Sequence, residues 1–351
     1  MYILGIESSC DETAVALIER GEQNRVMDEQ IKSQIPLHEK YGGVVPEIAS
    51  RNHYEVIDYL VLEVLENTDL TINDIDLIAL TRGPGLMGSL LVGLSFAKGL
   101  AFANDIPLVG VDHTLAHIES AFITNPEIQY PLIALVVSGG HTTIFYQESK
   151  FDTKILSKTR DDAVGEVLDK VSKFFGLGYP GGPILDKLYK GGDKKKFKFT
   201  YPRMSDGSED FSFSGYKTAA IRHPAISPEM DPADRNFKDF TASFLNSIVD
   251  YLLSKTRKAV KKTGARSLIV AGGVSRNSLL REKFTEAFKD TSVKLYLSAP
   301  GYCTDNASMV AWLGYEKYIN FPSLNYFDNY MNSYSRAFFK VNDIPIPTTR
   351  I

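Results

Sequence analysis

The 351-residue sequence predicts an α/β fold made of two similar lobes, and three observations carry that prediction. A hairpin pattern followed by a third strand occurs twice, at residues 2–31 and 132–157. Each occurrence leads into alternating helices and short apolar strands. Each half then ends on a strand that runs straight into a helix start bearing metal-ligating residue types: His113 and His117 in the first half, Asp305 in the second.

In the first half, apolar residues 2–6, a turn rich in Ser and acidic residues, and residues 13–18 form the hairpin, with a third strand near 26–31. A helix over 46–67 follows, then a strand at 77–81, a glycine-rich turn, a helix over 87–103, a strand ending at Val111 and the His-bearing helix. In the second half, residues 132–137, the turn Ser138-Gly139-Gly140-His141 and residues 142–146 repeat the hairpin, and 153–157 add the third strand. Next come a helix over 163–175, an insertion over about 180–235, a helix over 237–262, a strand at 267–271, a Gly-Gly turn, a helix over 278–288, the strand from Val293 and the Asp305-bearing helix to Tyr318. The expected domains are a first lobe at 1–128, a second lobe at 129–322 and a C-terminal tail at 323–351. That tail, with Tyr326, Tyr330 and Tyr334, reads by default as packing against the lobes and alternatively as an interaction arm. The element order resembles the actin, hexokinase and heat-shock-70 (ASKHA) architecture, in which two lobes enclose a central cleft that receives ligands.

Composition limits the function classes. With 44% hydrophobic and 23% charged residues, the chain reads as a soluble globular protein. The apolar stretch 90–102 is interrupted by Gly, Ser and Lys98 and falls short of the ~18–20 residues of a membrane span. No basic leader precedes the first strand, so a cytoplasmic location without membrane attachment is expected. The two cysteines, Cys10 and Cys303, form no disulfide framework in a chain of this size. A net charge of −4 argues against a general nucleic-acid coat. The basic runs at 194–198 and 257–262 read by default as solvated helix faces or loops and alternatively as contacts to a phosphate backbone, so any RNA contact is expected to be confined to a patch or shared with a partner.

The chemistry concentrates at the turns. His113 and His117 stand four residues apart, so they share one helix face at the carboxyl edge of a sheet. With Asp305 they make a two-imidazole, one-carboxylate set that leaves coordination positions open for substrate, and the duplication is expected to bring the two lobes' residues together across the cleft. The turn at 138–142 lets backbone N–H groups approach a phosphate closely. Its first-lobe counterpart carries Glu7, Asp11 and Glu12, which disfavours a triphosphate spanning both turns. Gly272, Gly273 and Asn277 suit a nucleoside, while Asp169 and Asp186 suit its ribose, since an ionised carboxylate accepts hydroxyl hydrogen bonds, or are instead helix caps or surface acids; Gly182 permits close approach. Gly83-Pro84-Gly85 reads either as tight strand-to-helix packing or as substrate contact.

Taken in order, Gly-Ile-Glu-Ser-Ser-Cys-Asp-Glu-Thr at 5–13, Pro-Glu-Ile-Ala-Ser-Arg at 46–51, Gly-Pro-Gly at 83–85, Asp-His-Thr-Leu-Ala-His at 112–117, Val-Ser-Gly-Gly-His-Thr at 137–142, Tyr-Pro-Gly-Gly-Pro at 179–183 and Gly-Gly-Val-Ser-Arg-Asn at 272–277 resemble the TsaD/Gcp/Kae family over about residues 2–320. The resemblance implies transfer of the threonylcarbamoyl group from L-threonylcarbamoyladenylate to N6 of adenosine 37 in tRNAs that read codons starting with A, releasing AMP. It implies one divalent metal ion per subunit on His113, His117 and Asp305, Fe(2+) with Zn(2+) as the alternative. It also implies adenylate binding by Val136, Val137, Ser138, Gly139, Gly140, Asp169, Gly182, Asp186 and Asn277, and a catalytic acidic pair, Asp11 and Glu12. The implied partners are tRNA and TsaB-like and TsaE-like proteins, with a homo-oligomer as a further option. Leu168 departs from the aromatic residue that many relatives carry, leaving the neighbouring carboxylates in place. The protease label once attached to the family has no support, because the His-x-x-x-His stretch lacks the Glu of a His-Glu-x-x-His site. The alternative readings are an actin-fold ATPase or kinase, which needs a triphosphate, and a nucleotide-gated assembly module.

Overall fold

The computed structural model describes residues 1–202 and 204–322, so the tail predicted at 323–351 lies outside the described residues. The chain forms two compact units, one comprising residues 1–124 with the segment that begins at Asp305, the other residues 125–304. In the first unit, β1 (Tyr2–Glu7), β2 (Glu12–Glu19) and β3 (Arg25–Ser33) form an antiparallel meander. A single-turn helix α1 (Ile35–His38) leads to α2 (Pro46–Asn67), whose Pro occupies the first turn, where its missing N–H costs nothing. β4 (Leu77–Gly83), α3 (Met87–Asn104), β5 (Leu108–Asp112) and α4 (His113–Thr124) follow.

The second unit repeats this order with β6 (Leu132–Val137), β7 (Thr142–Ser149), β8 (Asp152–Lys158), α5 (Val164–Phe174), α6 (Gly181–Leu188), α7 (Ser214–Ile221), α8 (Arg235–Thr263), β9 (Ser267–Ala271), α9 (Ser278–Phe288) and β10 (Lys294–Leu297). The chain ends its described part with α10 (Ala307–Asn320). The first sheet runs β3-β2-β1-β4-β5 and the second β8-β7-β6-β9-β10, so the predicted duplication is present strand for strand. In both sheets the two pairs within the three-strand meander are antiparallel and the other two pairs parallel. The central strands β1, β4, β6 and β9 are almost wholly buried, as their continuous apolar runs require.

The expected boundary at 322 is corrected by the structure. Although α10 follows the second sheet in sequence, it packs on β1, β2, β4 and α4 of the first unit. Small residues permit this close approach. A Cβ at Gly5 would lie 2.3 Å from the Ala307 carbonyl oxygen and 2.9 Å from Ala311 Cβ, and one at Gly314 would lie 2.3 Å from Ala79 Cβ. Lys317 Nζ then donates to the Gly110 carbonyl at 2.6 Å, fastening the helix to β5. Gly5→Ala is therefore expected to push α10 off the sheet, costing roughly 1–3 kcal/mol by overpacking. Chemical denaturation measures that cost, and an unchanged midpoint and slope would remove the close approach as the reason for the glycine.

The insertion contains α6 and α7, which the sequence did not predict as helices. Phe211, Phe213 and Tyr216 are fully buried with their rings against Tyr251 of α8, so aromatic packing fixes this segment. The basic runs are partly neutralised: Lys194 pairs with Glu282, Lys196 with Asp239, and Lys258 with Glu209. The stretch 90–102 belongs to α3, which at 18 residues and mean hydropathy 1.2 is long and apolar enough to cross a membrane. Its buried residues Leu90, Gly93, Leu94, Ala97 and Ala101 recur at helical spacing, and it packs with α2 and β4. Cys10 and Cys303 are both free thiols.

Candidate metal centre and nucleotide-binding turns

His113, His117 and Asp305 converge within the first unit. The sequence placed Asp305 on the second lobe, facing the imidazoles across a cleft. Because α10 returns to the first sheet, the carboxylate reaches them inside one unit. Capping sets both helix starts. Asp112 accepts from the Leu115 N–H at 2.9 Å and from Thr114 Oγ1 at 2.6 Å, which aims the first turn of α4. For α10, Asn306 accepts from the Met309 N–H at 2.9 Å, and Glu29, reaching over from β3, accepts from the N–H groups of Ala307 and Ser308 at 2.8 Å each.

Asp305 Oδ1 lies 3.4 Å from His113 Nε2 and 3.1 Å from His117 Nε2. One potential ligand atom from each of the three residues falls within 4.8 Å of the others. A metal with bonds of about 2.0–2.1 Å holds tetrahedral ligand atoms about 3.3 Å apart, so this trio fits a divalent cation. The charge balance agrees. Glu7 and Asp305 are two carboxylates beside two buried imidazoles, and a cation is what balances them. Despite the opposing effect of burial, His113 and His117 hold the Asp305 carboxyl well below the usual carboxylate range. Burial likewise opposes a charge on His113, yet Asp305 and Glu7 hold its imidazole well above the usual value.

Asp11 and Glu12 occupy the turn between β1 and β2, braced from behind. His53 Nε2–H donates to the Cys10 carbonyl at 3.0 Å, while its Nδ1 accepts from Thr13 Oγ1 at 2.7 Å, so one imidazole clamps both ends of the acidic pair. The Leu86 N–H donates to the Ser9 carbonyl at 2.8 Å, and a Cβ at Gly85 would lie 2.5 Å from that oxygen. The Gly-Pro-Gly stretch therefore packs against this turn. Burial, then the charges of Asp11 and Asp305, push the Glu12 carboxyl well above its ordinary range. His53 escaped the sequence reading because a lone histidine inside an amphipathic helix carries no local signal.

The residues predicted to bind the adenylate lie in the second unit. Val136 and Val137 end β6, fully buried, and Ser138, Gly139 and Gly140 make the turn beyond it. Gly165 of α5 abuts that turn, since a Cβ there would lie 2.6 Å from the Ser138 carbonyl oxygen. Gly272, at φ +90°, lies against Val137, whose carbonyl oxygen a Cβ would meet at 2.4 Å. Asp169 accepts from the Gly181 N–H at 2.7 Å, beside Gly182 at the start of α6. Asp186 Oδ1 accepts from the Ser278 N–H at 2.9 Å, and Asn277 Oδ1 caps α9 through the Leu280 N–H at 3.0 Å. Helix capping thus takes one oxygen of each. Asp186 Oδ2 and the Asn277 amide nitrogen have no partner among the described residues.

A family model described as TsaD, tRNA N6-adenosine threonylcarbamoyltransferase, matches residues 25–312. A protein of that name from Caldicellulosiruptor saccharolyticus is 45% identical over 331 residues, covering 94% of this chain and 96% of its own length. One from Caldicellulosiruptor bescii is 47% identical over 317 residues, with coverage of 90% and 93%. Among solved structures, T. kodakarensis HypF aligns with a TM-score of 0.60 at 14% identity, over 93% of this chain and 48% of that one. Component A of the Acidaminococcus fermentans (R)-2-hydroxyglutaryl-CoA dehydratase aligns at 0.52 with 15% identity, over 90% and 98%. At such low identity these two share the fold alone, and they agree with an actin-like duplicated α/β architecture.

Proposed function

The chain belongs to the TsaD family and catalyses threonylcarbamoylation of adenosine N6 in tRNA, and from that premise we propose how its residues divide the reaction. The donor is L-threonylcarbamoyladenylate and the acceptor is adenosine 37 of tRNAs that read codons starting with A. Attack by N6 on the carbamoyl carbon forms a C–N bond, breaks the bond from that carbon to the phosphate oxygen, and releases AMP. The nitrogen must lose one proton as it attacks.

Asp11 and Glu12 are the groups that take this proton, since an exocyclic amine becomes acidic only as the new bond forms and a carboxylate is then a sufficient base. Val136, Val137, Ser138, Gly139 and Gly140 form the strand end and turn that hold the phosphate of the adenylate, with Gly139 and Gly140 supplying backbone N–H groups, since the Ser138 N–H donates to the His141 carbonyl at 2.8 Å. Asp169, Gly182, Asp186 and Asn277 hold its nucleoside, consistent with the unpartnered Asp186 oxygen and Asn277 amide nitrogen. His113, His117 and Asp305 hold one divalent ion, iron(II) with zinc as the alternative, which supplies Lewis acidity toward the oxygens of the transferred group. The observation that carries this reading is the convergence of two imidazoles and one carboxylate on a common point, with the acidic turn in the same unit.

Cytoplasmic residence and action with TsaB-like and TsaE-like partners complete the proposal, with self-association as a further option. The test supplies purified chain with donor, divalent metal and unmodified tRNA, with and without those partners. Appearance of threonylcarbamoyladenosine with stoichiometric AMP supports the assignment. ATP turnover without modified tRNA would favour a kinase, ATPase or nucleotide-gated assembly module in its place.

A further inference from the structure

Glu7 is a buried carboxylate at the end of β1, a central strand, with all its hydrogen-bonding capacity directed at three donors. The Ser9 N–H donates to Oε1 at 2.6 Å, Thr81 Oγ1 donates to Oε2 at 2.5 Å, and His113 Nδ1 lies 3.1 Å from the same Oε2, with the Ser9 hydroxyl oxygen also 3.2 Å from that nitrogen. Burying a carboxylate is costly unless a group beside it requires the charge. The Ser9 and Thr81 contacts do not, because a neutral carbonyl oxygen would accept from both. The imidazole does. Its other nitrogen, Nε2, faces Asp305 at 3.4 Å, and only an imidazole whose proton sits on Nδ1 has a lone pair on Nε2 to offer a cation. His117 differs here: its Nδ1 is buried with no hydrogen-bond partner among the described residues.

We propose that Glu7 is the positioning residue of the metal centre, accepting the Nδ1–H of His113 and so presenting Nε2 as a ligand. This rests on the reading of His113, His117 and Asp305 as a cation site and adds a residue outside the ligand set. A carboxylate behind a ligating imidazole fixes its tautomer and ring orientation and raises its basicity. The consequence is an unequal pair, with His113 the imidazole held from behind at Nδ1 and His117 contacted only at Nε2, by Asp305 at 3.1 Å, with no partner behind its ring among the described residues.

Glu7→Gln tests this with almost no change of shape. With its amide oxygen toward Ser9, the variant turns an N–H toward His113 Nδ1, driving the imidazole proton to Nε2, where it blocks ligation. With the amide reversed, an N–H meets the Ser9 N–H and the turn loses its hydrogen bond. Zn(2+) affinity of the full chain, measured by chelator competition, is expected to fall about 10- to 100-fold. Thr81→Val, which removes another Glu7 partner without touching the imidazole, is expected to keep the affinity within about threefold. Nitrogen NMR of 15N-histidine-labelled wild-type chain supplies a readout that a purely structural role does not move. The His113 ring is expected to carry its proton on Nδ1 and to bind Zn(2+) through Nε2. If Glu7→Gln does not fold, this spectrum decides alone, and ligation through Nδ1 overturns the proposal. Equal Zn(2+) affinity in folded Glu7→Gln and wild type also overturns it while leaving the cation site intact. A wild-type chain that binds no Zn(2+) removes the cation-site reading itself, and the positioning role with it.

Discussion

Asp305→Ala is expected to lower metal affinity at least ~100-fold and transfer turnover on the order of 10³-fold, while leaving adenylate binding close to normal. Asp305 is the only carboxylate within reach of both imidazole Nε2 atoms among the described residues, at 3.4 and 3.1 Å. Its removal leaves two neutral ligands without a negative partner for a divalent ion. The residues proposed to hold the adenylate lie in the other unit, so the substitution does not touch them. Metal analysis of untagged protein and single-turnover transfer at saturating donor measure the two losses, and donor affinity by calorimetry measures the part expected to persist. Retained metal together with retained turnover would sink the assignment of Asp305. Loss of donor affinity alone would mean that the carboxylate serves the adenylate rather than the ion.

How much of this was legible in the sequence depended on how local each signal was. The duplication was readable because strand alternation and glycine turns are short-range patterns, and both sheets have the expected order. That 113, 117 and 305 carry metal-ligating residue types was readable from residue type and helix spacing, and the three side chains do converge. The attachment of α10 was not. It depends on Gly5 and Gly314, whose missing Cβ atoms admit contacts with Ala307 and Ala79 respectively, residues far away in sequence that no periodicity connects. The same holds for Glu7. In sequence it is one of three acids in a turn, equivalent to Asp11 and Glu12, whereas in the structure it is buried and turned inward to His113. A single residue's displacement along a strand reverses the face its side chain occupies, and no composition argument resolves which acid points where.

Asp11→Asn carries the second large effect: turnover of bound substrates is expected to fall about 10²- to 10⁴-fold with donor affinity within about twofold of wild type. The side chain keeps its size and its hydrogen-bonding reach and loses only the capacity to take a proton. Its neighbour Glu12 offers a check on which acid is the base. Burial raises the Glu12 pKa, and the charge of Asp11 raises it further, so replacing Asp11 by a neutral amide must lower it. If Glu12 were the base, Asp11→Asn would keep most of its turnover, and the acid limb of its rate profile would move to lower pH because Glu12 ionises earlier. With Asp11 as the base, turnover falls at every pH and no displacement of that limb restores it. Single-turnover rates measured across about pH 5 to 9 separate the two outcomes. Glu12→Gln completes the comparison, since it is expected to cost less than Asp11→Asn if Asp11 takes the proton and more if Glu12 does.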